Sequence, residues 1–154
     1  MKLLKFSPTQ IMENWPYIKE CILLSLPPYV LASQDTLLRI QEQLLVEYLE
    51  CWACVEDDLK KFLGIVTTQI AVDDLTLTRN LLIFTVTITE EHEDDIWLQG
   101  YEYLSKYAKV RGCASIIAYT NQEQVVMLAT RLQGDTSWRM LRFPLLDSKV
   151  EPTN

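Results

Sequence analysis

The chain of 154 residues and 17.9 kDa fits a single domain. Its 49% hydrophobic and 23% charged residues are typical of a globular protein and exclude a disordered or low-complexity chain. The formal net charge of −7 argues against nucleic acid and anionic membrane as partners, because binding to either needs clustered lysine and arginine.

Hydrophobic periodicity predicts ten elements in the order β-α-α-β-β-β-α-β-α-β. The predicted strands cover residues 3–6, 51–55, 62–72, 81–89, 114–119 and 138–145, and the predicted helices cover residues 16–26, 33–50, 96–111 and 122–132. This order favours an α/β (α+β) domain with a mixed central sheet and helices on both faces. We assign residues 1–146 to the domain and 147–154 to a polar tail.

Two of the predicted helices carry clear apolar faces. In the helix at 96–111 the core-facing residues are Trp97, Tyr101, Leu104 and Ala108. The helix at 122–132 is expected to turn Val125, Val126, Leu128, Ala129 and Leu132 inward, and the strand at 114–119 is expected to be buried.

Four cysteines, Cys21, Cys51, Cys54 and Cys113, lie in mostly apolar surroundings. No secretory signal and no membrane-spanning stretch is predicted, so we expect a soluble, cytoplasmic protein with free thiols. Cys51 and Cys54 form a C-x-x-C pair, which in other settings marks a redox dithiol or half of a zinc site. On a strand the two positions point to opposite faces, which favours two buried cysteines and no metal site.

The element order resembles that of the GNAT family, the acyl-CoA-dependent N-acyltransferases. Three C-terminal segments carry the resemblance. Residues 116–121 (IIAYTN) are similar to the fifth strand of the family and its terminal asparagine. Residues 126–134 are similar to the next helix, which here ends in Leu-Gln-Gly in place of the usual Leu-Gly-Phe, and residues 138–143 (WRMLRF) are similar to the closing strand.

The resemblance implies a loop that holds the pyrophosphate of coenzyme A, with the pattern Gln/Arg-x-x-Gly-x-Gly/Ala. The equivalent residues here are Thr89, Glu90, Glu91, His92, Glu93, Asp94 and Asp95. They include no glycine, and each of the five carboxylates would repel a pyrophosphate by roughly 1 kcal/mol. That repulsion outweighs the roughly 0.3–1 kcal/mol that a helix N-terminus contributes. The family's usual acid, a tyrosine, corresponds to Thr130. The sequence therefore predicts a degenerate cofactor site and no cofactor.

Two functions follow from these observations. The leading hypothesis is a non-catalytic GNAT-like protein that binds a protein partner or a second copy of itself. Small GNAT-like chains in tailed phages make a virion or accessory component one setting for it. The alternative is an N-acyltransferase that uses acetyl-CoA with an atypical loop, and Tyr119 or Glu91 would then be the acid or base.

Several exposed residues are candidates for contacts with such a partner. Tyr103 and Tyr107 lie off the apolar stripe of their helix and would form an exposed strip, and Arg139 and Arg142 make the end of the chain basic. In the acidic run, residues 89–91 are interpreted as the N-cap of the following helix, whose dipole the carboxylates complement, and a docking surface for a basic partner is the alternative. The single histidine, His92, is interpreted as an exposed residue of that acidic turn, and a catalytic base or metal ligand is the alternative.

Overall fold

The computed structural model describes residues 1–58, 61–90 and 95–145. The elements in chain order are β1 (Lys2–Lys5), α1 (Pro8–Glu13), α2 (Trp15–Ser25), α3 (Gln34–Leu45), β2 (Glu50–Val55), β3 (Phe62–Val72), β4 (Arg79–Ile88), α4 (Ile96–Val110), β5 (Ser115–Ala118) and α5 (Glu123–Arg131). Nine of the ten predicted elements are present. None of the described helices is long and apolar enough to cross a membrane.

The strands form one mixed sheet in the order β1-β2-β3-β4-β5. The first four strands are antiparallel neighbours, and β5 lies parallel to β4 after the crossover through α4. This arrangement confirms the predicted mixed sheet with helices on both faces. The N-terminal helices were predicted less completely, since α1 was not foreseen. Ser7 begins α1 with a reciprocal capping box to Gln10, followed by Pro8 at the first helical position.

Each face of the sheet carries its own apolar core. One core packs α1, α2 and α3 on the sheet and includes Ile18, Ile22, Leu44, Cys51 and Ile65. The other packs α4 on the opposite face and includes Leu3, Trp52, Cys54, Leu81 and Leu104. Cys51 and Cys54 thus belong to different cores, as the alternation along a strand predicts.

The register between β3 and β4 shifts by one residue, and this β-bulge bends β4. Thr67 pairs with Thr85, whereas the next residue, Thr68, pairs with Ile83, so Phe84 is an extra residue on β4. Phe84 packs on the α2 and α3 side of the sheet, next to Thr85, whose hydroxyl contacts that of Thr67 at 2.6 Å.

The C-terminal third differs from the sequence prediction in three respects. Residues 138–145 are not a strand in the structure. The strand β5 is mostly exposed, and α5 has no fully buried residue, with Val126 and Leu132 both exposed. These differences share one cause, because a strand at 138–145 would cover the free edge of β5. Without that cover, the apolar side chains of β5 and α5 face solvent.

Candidate functional site

The strands β4 and β5 separate after a short paired stretch. Their ladder runs from the pair Asn80 and Ser115 to the pair Ile83 and Ala118, after which β5 ends and β4 continues to Ile88. We call the opening between residues 84–88 of β4 and residues 119–122 the β4–β5 wedge. A strand edge beyond its last ladder pair presents backbone groups that are available to another hydrogen-bonding chain or ligand.

The side chain of Gln122 reaches into this wedge. Its Nε2 donates to the carbonyl oxygen of Val86 at 2.7 Å, and its own N–H donates to the hydroxyl of Thr120 at 3.0 Å. The contact shows that the Val86 carbonyl faces the wedge, where an amide group can reach it. A ligand that carries amides would make the same kind of bond after displacing one side chain.

A cavity of about 200 Å³ lies on the face of the sheet that α1, α2 and α3 cover, against α3; we call it the α3 cavity. Its apolar wall is built from the loop before α3, from α3 itself, from the α3–β2 connection and from the extra residue of β4. The lining residues are Val30, Thr36, Arg39, Ile40, Gln43, Tyr48, Leu49, Gln69 and Phe84. Phe84 therefore links the cavity to the strand that forms the wedge.

Of the residues named as acid or base, only Tyr119 lies in the described part of the chain; Glu91 does not. Tyr119 follows the end of β5 and is about half exposed. Its ring meets that of Tyr29 edge to face, with centroids 6.0 Å apart. Tyr29 precedes Val30 of the α3 cavity, and burial raises the pKa of its hydroxyl, with a smaller contribution from Tyr119. The contact places the Tyr119 ring against the loop that borders the cavity.

Thr130, at the position that corresponds to the family's acid, forms a side-chain hydrogen bond within its own helix. Its hydroxyl donates to the carbonyl oxygen of Val126 at 3.0 Å. This is the usual i to i−4 bond of a helical threonine, so Thr130 offers no acid to the wedge.

The acidic segment between β4 and α4 is described only at its ends. Glu91, His92, Glu93 and Asp94 lie outside the described residues, and the predictions made for them stay predictions. Thr89 continues the sheet, since its N–H donates to the carbonyl oxygen of Leu63 at 2.9 Å. The N-cap of α4 is Asp95, so the predicted cap within residues 89–91 was wrong. The Asp95 carboxylate accepts from Gln99 Nε2 and makes no capping bond.

Tyr103 and Tyr107, predicted to form one exposed strip, differ in their exposure. Tyr103 is partly exposed, whereas Tyr107 packs on the core with its ring 4.9 Å from that of Trp52. The Tyr107 hydroxyl lies 2.7 and 2.6 Å from the two carboxylate oxygens of the buried residue Glu50. Tyr107 therefore ties α4 to the sheet, and its predicted exposure was wrong. Tyr101, predicted to face the core, is partly exposed.

Arg139 and Arg142 are exposed in the irregular segment 135–145. Among the described residues neither forms an ion pair, and large apolar side chains surround them in the sequence. Trp138 is 86% exposed and Phe143 is 82% exposed. The exposure of the two arginines agrees with their predicted place at a surface, and no contact tests their role as interaction residues.

The four cysteines are free thiols, and three of them are buried. Burial raises the pKa of Cys54 to about 12 and raises that of Cys51 further. A thiol with such a pKa is protonated at neutral pH and is a poor nucleophile. Within the described ranges, no three histidine, cysteine, aspartate or glutamate side chains are grouped so that they could hold a metal ion.

Sequence reasoning missed the residues that build the wedge and the cavity. Gln122 was noted only as a helix start, and Arg39 lies on the polar side of α3, where a charged residue normally needs no explanation. Gln69 gave the one available signal, because a glutamine is unusual within a long strand of β-branched residues. The cavity itself depends on how α3 packs over the bend of β4, and no local pattern encodes that.

Comparison with solved structures identifies the fold. A probable acetyltransferase is similar with a TM-score of 0.69 and 12% identity, over 96% of this chain and 100% of that one. A ribosomal-protein-alanine N-acetyltransferase from Brucella melitensis biovar Abortus 2308 gives 0.66 and 12%, over 94% and 100%. A predicted acetyltransferase with acetyl-CoA from Clostridium acetobutylicum gives 0.65 and 13%, over 92% and 95%.

The protein therefore has the fold of the GNAT N-acetyltransferases, as its element order predicted. No protein-family model matches the sequence, and no curated protein sequence matches it. The likeness in structure at 12–13% identity establishes the fold alone.

Proposed function

We propose that the protein is an N-acyltransferase that takes an acyl group from acetyl-CoA or a related thioester. The β4–β5 wedge carries the proposal, since its strand edge has a carbonyl, that of Val86, which already accepts a hydrogen bond from an amide, and since the α3 cavity adjoins the same strand. The likeness to a solved acetyltransferase with bound acetyl-CoA supports it. This reverses the order of the two hypotheses drawn from the sequence.

The residues of the site fit one part of acetyl-CoA better than the other. The pantetheine arm carries two amides, which suit the edge of residues 84–88 and the position now taken by the Gln122 amide. The resemblance assigns the pyrophosphate to residues 89–95, a segment rich in carboxylates. The thioester supplies an activated acyl group for transfer to an amine. Tyr119, beside the wedge, is the candidate to donate or accept a proton there.

The difference in fit between the pantetheine arm and the pyrophosphate can be tested by comparing the affinities of two thioesters. Isothermal titration should show that S-acetyl-pantetheine, which lacks the pyrophosphate, binds at least as tightly as acetyl-CoA. Binding of acetyl-CoA should strengthen as salt is raised, because added ions screen the repulsion from the five carboxylates. Binding of S-acetyl-pantetheine should change little with salt, which makes it the matched control. Absence of binding by both thioesters at millimolar concentration would sink the proposal.

The exposed C-terminal segment favours a second candidate, a non-catalytic role in protein–protein binding. The best occupant for the free edge of β5 is residues 135–145 of a second copy. Reciprocal exchange would bury Trp138, Leu141, Phe143 and Leu145 twice. At about 150–250 Å² for each aromatic side chain, the two copies of Trp138 and Phe143 would bury about 600–1,000 Å², and the leucines and the surface that they cover would add to this toward the roughly 1,200–2,000 Å² of a stable interface. Arg139 and Arg142 also complement an otherwise acidic surface. A virion or accessory role in a phage remains part of this candidate.

We expect the protein to be a dimer of twice 17.9 kDa in size-exclusion chromatography with light scattering. The double substitution Trp138→Ser and Phe143→Ser should produce monomers. The matched control is Leu75→Ser with Leu77→Ser, which changes two equally exposed residues in the β3–β4 connection and should leave the dimer intact. A monomeric parent protein, or dissociation by the control pair, would contradict strand exchange.

A further inference from the structure

The α3 cavity combines an apolar wall with polar side chains that are unpaired within the described residues. Arg39, Gln43 and Gln69 line it from α3 and from β3. Within the described residues, no side-chain hydrogen bond or ion pair engages any of the three. Apolar walls with a few convergent polar groups are the usual composition of a small-molecule site.

The position of Arg39 is informative because it has potential partners on its own helix. Asp35 lies four residues before it and Glu42 three residues after it, spacings at which opposite charges on a helix usually pair. The structure shows neither pair, and Arg39, an exposed residue, is one of those that line the cavity. A guanidinium offers a planar set of donors that matches a carboxylate with two parallel bonds.

The size of the cavity and its surroundings restrict the ligand further. At about 200 Å³ it is below the roughly 300 Å³ at which typical ligand pockets begin, so it suits one small apolar group. Tyr48, Leu49 and Phe84 provide the apolar surface for that group. Phe84 and Val86 are two residues apart on β4, about 7 Å along the strand. Phe84 lines the cavity and is also the first β4 residue of the wedge, so a ligand in the cavity would lie next to the wedge.

We infer that the α3 cavity binds a small carboxylate with an apolar body, held by Arg39, and that the acceptor is an amino acid with an apolar side chain. The second half of this inference rests on the proposed acyltransferase function. Transfer would form the amide C–N bond and break the thioester C–S bond, and the proton lost by the amine would end on the released thiol.

Binding without any acyl donor tests the site by itself. Isothermal titration with L-phenylalanine, phenylacetate and phenethylamine should show binding of the two carboxylates and at least tenfold weaker binding of the amine. Arg39→Ala should weaken carboxylate binding at least tenfold, and Arg39→Lys should fall between, since lysine keeps the charge and loses the paired geometry. Arg131→Ala, a change at the exposed end of α5, is the control and should bind like the parent.

The outcomes separate this inference from the proposed function. S-acetyl-pantetheine should bind Arg39→Ala and the parent equally, because Arg39 is not one of the residues that form the wedge. Carboxylate binding that depends on Arg39 upholds the site even if no thioester binds. Three results would overturn the inference. They are equal binding of phenylacetate and phenethylamine, no binding of any probe, and an affinity for carboxylates that is the same in Arg39→Ala and in the parent.

Discussion

Gly64→Ala is expected to lower the free energy of unfolding by about 3 kcal/mol, the largest effect of a single methyl group in this chain. A Cβ on Gly64 would lie 2.0 Å from the carbonyl oxygen of Thr87 and 2.8 Å from the Cα of Ile88. Both are backbone atoms of the paired strand β4, so the clash can be relieved only by moving β3 and β4 apart. Native proteins of this size are stable by roughly 5–15 kcal/mol, so the variant should be marginal.

Urea unfolding followed by circular dichroism measures the difference in the free energy of unfolding between Gly64→Ala and the parent. Gly100→Ala is the matched control. Gly100 lies inside α4, where a new Cβ meets only the flexible end of Met1 at 3.4 Å. Since alanine favours helix over glycine by about 0.8–1.0 kcal/mol, this control should be neutral or more stable. Equal stability of Gly64→Ala and the parent would show that β3 and β4 are not packed as the structure has them.

The sequence predicts the fold where local pattern and tertiary packing agree. The strand at Phe62–Val72 was predicted to the residue, and α4 to within one residue, because their periodicity matches the faces that they bury. The alternation along β2 placed Cys51 and Cys54 on opposite faces, and the structure has them in different cores. The family resemblance rests on the same patterns, and the solved neighbours confirm it at the level of fold.

The candidate site was less predictable for a physical reason. The wedge exists because β5 is four residues long while β4 is ten, and the α3 cavity exists because β4 bends at Phe84. Both depend on pairing between distant segments, which side-chain periodicity does not encode. Residues 138–145 were predicted wrongly for a different reason, since their strand pattern has no pairing partner among the described residues. The pattern identifies a segment able to form a strand but does not specify the edge that it joins.

Tyr107→Phe is expected to lower the free energy of unfolding by about 2 kcal/mol, although it removes one oxygen atom. The hydroxyl contacts both carboxylate oxygens of the buried Glu50. Hydrogen bonds to charged groups contribute about 1.5–3 kcal/mol, and a buried carboxylate that loses its donor keeps its desolvation penalty. Lys5 Nζ, 3.6 Å from the nearer oxygen, remains as a weaker partner.

Tyr103→Phe is the matched control, one turn earlier on the same helix. Its ring lies 6.1 Å from that of Trp52, and its hydroxyl makes no hydrogen bond within the described residues, so the change should stay within about 0.5 kcal/mol. A double-mutant cycle with Glu50→Gln isolates the pair and should give a coupling energy of about 1 kcal/mol or more. A coupling of zero would mean that the two side chains do not stabilise each other.

The pH dependence of unfolding distinguishes the lost bond from lost packing. Burial first, and then the hydrogen bond and charge of Glu50, raise the pKa of Tyr107 above its ordinary value near 10. The native state therefore favours the protonated phenol. That stabilisation is complete below pH 10 and is lost as the pH rises beyond it, at up to about 1.4 kcal/mol per pH unit for one group. Above pH 10, the free energy of unfolding should decline less steeply with pH for Tyr107→Phe than for the parent. The free energy of unfolding of Tyr103→Phe should decline as steeply as that of the parent. Identical slopes for all three proteins would show that Tyr107 titrates as it does in the unfolded chain.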